Sequence, residues 1–196
     1  EGISSSSSTA SSMLSSLGSR TASLAARAAP ISTARINRGL QQGLKMLSRS
    51  KVVLRSEDGT TLRFNTNKAR VSHLVIEQGG EGQNPAVHVE RGSQVEIDSC
   101  DITCKSYACV VISGEDAKPY IHGCRIHNGG GGGVYVLNSG GGDLVDNDIE
   151  LNALAGVNVE AGGNPTVSRC RISKNQAAGL LVYNYGLGVY TENDIY

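Results

Sequence analysis

Six residues in the last third of the chain are of the types that acid–base chemistry uses: Asp146, Asp148, Arg169, Arg171, Glu192 and Asp194. Carboxylates converging with arginines on one groove could cleave or isomerise a glycosidic polymer. Their spacing argues otherwise. The triplets Asp146-Asn147-Asp148 and Glu192-Asn193-Asp194 bracket Arg169-Cys170-Arg171 at one constant interval. A catalytic group is expected to break a repeat, and these continue it. The pattern predicts structural residues and no catalytic site.

The other reactive side chains give no tighter constellation. His73, His88, His122 and His127 are scattered, and no cysteine or carboxylate completes a ligand spacing around His122 and His127. The Gly129–Gly133 run resembles a phosphate loop only in composition, since neither a Gly-Lys-Ser/Thr nor a following helix pattern is present. It reads as a flexible turn. Neither a cofactor nor a metal is expected. The five cysteines (Cys100, Cys104, Cys109, Cys124 and Cys170) are odd in number and follow no disulfide spacing. They predict free thiols in a reducing compartment, hence an intracellular and cytoplasmic protein.

The elements that position these residues come from a repeat. Isoleucine recurs at Ile102, Ile126, Ile149, Ile172 and Ile195, one every 23 or 24 residues. Two positions earlier stand Cys100, Cys124, Asn147, Cys170 and Asn193; five positions earlier stand Ile97, Ile121, Leu144, Val167 and Tyr190. Each unit also carries an alternating segment, such as Val87/Val89, Val110/Ile112, Val134/Val136, Val157/Val159 or Leu180/Val182. Alternation with period two predicts strands with one buried face. Gly- and Asn-rich turn signals separate them at 92–94, 114–119, 138–142, 161–165 and 184–188. A fixed period of this length with no helical pattern inside it predicts stacked coils. The fold expected is all-β: a parallel β-helix of three short sheets, about 23 residues per coil. It should occupy 51–196, with a degenerate first coil or cap over 51–83 and regular coils over 84–196.

In such a stack equivalent residues lie about 4.8 Å apart and touch as cross-strand neighbours do. The isoleucines then form a core ladder, and the Cys/Asn column points inward at a bend. The column just before each isoleucine points outward and reads Asp101, Arg125, Asp148, Arg171, Asp194, alternating in sign at every step. On the other outer sheet, Val111, Tyr135, Leu137, Leu181 and Tyr183 make an apolar stripe larger than a solvated sheet needs. Such a stripe predicts a surface for a protein partner.

The overall neutrality is a cancellation. Residues 1–50 hold six basic side chains and one acid, whereas 51–196 hold the remaining 12 basic and 17 acidic ones. The chain as a whole is therefore not expected to bind nucleic acid, and no apolar run is long enough for a transmembrane helix. The Ser4–Ser8 tract and the Ala/Ser/Arg-rich stretch after it predict a flexible segment over 1–50. Apolar residues at loose helical spacing make an amphipathic helix over 33–48 the alternative. Acid-poor, Arg- and Ser-rich composition also leaves organelle targeting open. A start at Glu1 and a regular last repeat ending at Tyr196 suggest a fragment, whose open C-terminal coil could otherwise stack end to end on a partner.

The stretch 133–196 carries G-V-x-V, then N-P-x-V or a Gly-rich equivalent, then [CN]-x-I, with N-A-x-A-G in the next turn. This resembles the right-handed parallel β-helix, pectate-lyase-like superfamily over roughly 84–196, and most of all the β-helix repeats of F-box substrate-receptor proteins. The resemblance implies a recognition module. No Leu-Pro helical module stands in 1–83, so a ligase role is not implied. Secreted and periplasmic relatives with polysaccharide-modifying or copper-related roles share the repeat, but the paired Asp with Gly-His-Gly of polygalacturonases and the Asp-Pro-His-Glu of alginate epimerases are missing. The reading is a non-enzymatic interaction scaffold. The alternatives are a carbohydrate-binding or polysaccharide-modifying β-helix and a structural component tethered by its N-terminal segment.

Overall fold

The computed structural model describes residues 51–196. The possible helix at 33–48 and the rest of the N-terminal segment lie outside the described residues. Within them there are strands and turns but no helix. Every strand pairing is parallel.

Three sheets run the length of the stack, and each coil gives one strand to each. The isoleucine sheet has seven strands: Val52–Ser56, Leu74–Gln78, Asp101–Cys104, Arg125–His127, Asp148–Glu150, Arg171–Ser173 and Asp194–Ile195. The valine sheet has six: Leu62–Phe64, Val87–Val89, Val110–Ser113, Val134–Leu137, Val157–Val159 and Leu180–Val182. The third sheet also has six: Ala69–Ser72, Val95–Asp98, Tyr120–His122, Gly141–Val145, Asn164–Ser168 and Val189–Thr191.

Register follows the repeat. Ile76, Ile102, Ile126, Ile149, Ile172 and Ile195 are consecutive partners in the first sheet. All but the last are fully buried; Ile195, in the final coil, remains 47% exposed. Val87, Val110, Val134 and Val157 fill the second sheet's inner face, and Ile97, Ile121, Leu144 and Val167 the third's. The core is a narrow column of same-size ladders, which is how short strands bury enough surface to hold together.

The stretch that ends in each isoleucine is two strands separated by a sharp bend, at the column the repeat placed there. At that bend Ser99, Gly123, Asp146, Arg169 and Glu192 all take left-handed φ, between 51° and 59°. The next residue, the Cys/Asn column, turns into the core. A second corner repeats the device, with left-handed Asn128, Leu151 and Lys174 each followed by Gly129, Asn152 or Asn175.

The Gly129–Gly133 run is not a flexible turn, as its composition suggested. A Cβ on Gly130 would sit 2.1 Å from the Lys105 carbonyl oxygen, and one on Gly133 would sit 2.5 Å from that of Gly156. The run is glycine because neighbouring coils press against its backbone.

Candidate functional site

The charged cluster was the first candidate. Arg125, Asp146, Asp148, Arg169 and Arg171 line one shallow groove of about 220 Å³ at the bend between the third sheet and the isoleucine sheet. Asp146 accepts from Arg169 Nε at 2.8 Å and from Nη2 at 3.0 Å, one coil away. Asp148 accepts from Arg171 Nε at 2.8 Å. The hydrogen bond from Arg169 holds the Asp146 carboxyl below the usual carboxylate range, and Asp146 raises the Arg169 pKa in return. A general acid needs the opposite shift. Arg169 and Arg171 are thus each answered by a carboxylate of the preceding coil, in a groove open to solvent. Glu192 and Asp194 lie exposed in the last coil.

The alternating column forms only in part. Asp148 and Arg171 pair as their register predicts. Arg125, flanked in register by Asp101 and Asp148, instead reaches diagonally to Glu150 Oε1 with Nε at 3.0 Å and Nη2 at 2.9 Å. Glu150 is only 8% exposed, so a long arginine can satisfy it while keeping its own head near water. Asp101 takes His127 Nε2 at 2.7 Å and Lys51 at 3.7 Å in its place.

The histidines do not converge. His73 is an exposed corner residue, and His88 lies on the valine sheet beside Glu90. Burial lowers the His88 pKa. His122 meets Glu96 at 3.1 Å and stacks on Tyr120, and His127 is buried against Asp101. Among the described residues no group of three or more metal-ligating side chains gathers.

All five cysteines are free and buried. Cys100, Cys124 and Cys170 stand in the inward column with Asn147 and Asn193, as the repeat predicts. Cys100 N–H donates to Cys124 Sγ at 3.4 Å. The hydrogen bond to Cys100 and then burial push the Cys124 thiol up, and burial, followed by the neighbouring Cys104, pushes Cys109 up. Cys124 and Cys109 are held protonated, as core residues are, whereas the hydrogen bond with Cys124 pulls the Cys100 thiol below its ordinary value.

The second candidate is the outer face of the valine sheet. In register along it stand His88, Val111, Tyr135, Asn158 and Leu181. Beside them runs a second row with Leu137, Glu160 and Tyr183. Val111 is a correction: at 6% exposure it is floor, not surface. It lies at the bottom of a groove of about 250 Å³ walled by Pro85, His88, Tyr107 and Leu137. Leu181 and Tyr183 are exposed at 41% and 45%, and Tyr135 and Leu137 are half-buried. Tyr135 meets the edge of Tyr107 with ring centroids 5.5 Å apart and planes at 84°.

A family model described as a right handed beta helix region matches residues 60–196. The chain belongs to this right-handed β-helix family. The match takes in the first coil, 60–83, together with the regular ones. No solved structure matches the chain. Among the described residues no helix is long and apolar enough to cross a membrane.

Sequence reasoning missed two features of this β-helix. Tyr107, the wall of the aromatic groove, lies in a turn with no repeat partner of its type. The second asparagine ladder was also overlooked: Asn152 Oδ1 accepts Gly129 N–H at 2.8 Å, and Asn175 Oδ1 accepts Asn152 N–H at 3.1 Å. The interval of 23 between Asn152 and Asn175 carried that signal.

Proposed function

We propose that this β-helix is a non-enzymatic scaffold that recognises a protein partner through the outer face of its valine sheet. The observation that carries the reading is the contrast between its two candidate faces. The acid–arginine groove is internally neutralised, with Asp146 and Asp148 each bonded to an arginine of the next coil. The valine-sheet face instead offers Tyr135, Leu137, Leu181 and Tyr183 beside a groove, the mixture of aromatic and aliphatic groups that interfaces favour. The resemblance to the repeats of F-box substrate receptors supports recognition as the role. Five buried free thiols support a reducing, intracellular setting.

One observation favours the carbohydrate reading as the alternative. Tyr120 is 43% exposed on the third sheet, in a groove of about 480 Å³ lined by Lys68, Arg70, Gln94, Glu96 and Lys118, with Arg70 paired to Glu96. An exposed ring beside lysines and a mixed set of charges suits stacking against a sugar ring.

Whole-chain pull-down paired with a glycan array separates the two. The scaffold reading expects a protein captured through the Leu181/Tyr183 face and no glycan signal. A glycan signal lost on Tyr120→Ala would replace it.

A further inference from the structure

The valine-sheet face has a chemical polarity as well as an apolar one. Glu160 lies between Leu137 and Tyr183 on adjacent coils, and among the described residues no cation pairs with it. Its neighbours are phenols. Backbone pairing sets Tyr183 beside Glu160 on the next coil, and register sets Tyr135 beside Asn158, with the Tyr107 ring against Tyr135. Beneath them Asn158 is only 7% exposed, and its Oδ1 has no hydrogen-bond partner.

A buried acceptor without a donor is costly and uncommon. Here the missing partner must be a donor, and the unpaired carboxylate beside it asks for positive charge. Tyrosine rings add a surface on which a cation can stack. An ammonium is a point charge, whereas a guanidinium presents several donors in one plane and stacks flat on aromatic faces. That plane can reach a carboxylate and an amide oxygen together. Tyr183 is the exposed member of the group, so it can swing aside to admit the plane.

We propose that Glu160, Asn158 and the tyrosines Tyr107, Tyr135 and Tyr183 form a recognition pocket for an arginine side chain presented by the partner protein. The pocket rests on the docking reading above and gives its partner a chemistry. Charge complementarity selects the occupant: acceptors and π faces on this side, a planar cationic donor on the other.

The test uses the whole chain, isotopically labelled, titrated with Nα-acetyl-arginine methylamide and, in parallel, with the neutral isostere Nα-acetyl-citrulline methylamide. The pocket predicts saturable NMR shifts of the Asn158 side-chain amide and of the Gly131 and Gly132 amides behind Tyr135. Citrulline should bind at least tenfold more weakly. Glu160→Gln, which keeps shape and removes charge, should erase that preference while leaving the rest of the spectrum unchanged. Absence of any shift at Asn158, or equal response to the two probes, overturns the proposal. The docking reading fails separately: partner capture that survives Leu181→Ala and Tyr183→Ala would remove it, whatever the arginine probe does.

Discussion

Asn147 completes the backbone of the coil before it: its Oδ1 accepts Cys124 N–H at 2.9 Å, and its Nδ2 donates to the Ile121 carbonyl at 2.8 Å. Asn193 does the same for Cys170 and Val167, at 2.9 and 2.8 Å. One side chain so satisfies both backbone groups that a left-handed bend would leave unpaired in a dry core. Asn147→Ala should therefore cost more than a surface change, about 1–3 kcal/mol for each polar group left buried and unpaired. Asn147→Cys should cost less, because a thiol serves the equivalent role where Cys100 N–H meets Cys124 Sγ. Denaturant unfolding of the two variants checks the order.

Ile149 is fully buried between Ile126 and Ile172. Truncation to alanine opens a cavity that the neighbouring rungs, fixed in register, cannot close. The expected loss is about 2–5 kcal/mol. Equilibrium unfolding measures it, and Ile195→Ala, at the half-exposed end of the ladder, should lose clearly less.

The acid–arginine pairs should behave as exposed ladder members. Asp148→Asn should change stability by about 0–1 kcal/mol and leave partner capture intact. Because Asp146 is held below the usual carboxylate range, its contribution is present above the unfolded pKa. It is lost as pH falls through the folded one. Asp146→Asn should remove that part of the acid dependence, and thermal melts across the acidic range would show it.

The Tyr135 ring lies on the backbone of the glycine run. A Cβ at Gly132 would come 2.2 Å from Tyr135 Cε1 and 2.9 Å from the Ala155 carbonyl oxygen. Gly132→Ala should destabilise by about 1–3 kcal/mol, as overpacking does, and should displace Tyr135 from Tyr107. Near-ultraviolet circular dichroism would register the broken aromatic pair.

Much of the architecture was legible because a solenoid writes its geometry as a period. Ile102 through Ile172 named one sheet, and the Cys/Asn column named the bend. What the period could not show was side-chain reach. Arg125 sits between two aspartates in register yet bonds Glu150, because burial makes that carboxylate the more demanding partner. Val111 has an outward position, but it became groove floor because a turn places Tyr107 beside it. Both depend on turns and long side chains that carry no repeat signal. The glycine run misled for a related reason: a composition typical of flexible loops also arises where coils crowd a backbone.

Site-specific photo-crosslinking of the whole chain tests the central claim most directly, with the reactive group placed at Leu137 on the valine sheet or at Thr166 on the third sheet. The account predicts one discrete protein adduct from position 137, lost when Tyr183→Ala is added, and none from position 166. An adduct from position 166 alone, or one from 137 that persists in the Tyr183→Ala background, would contradict it.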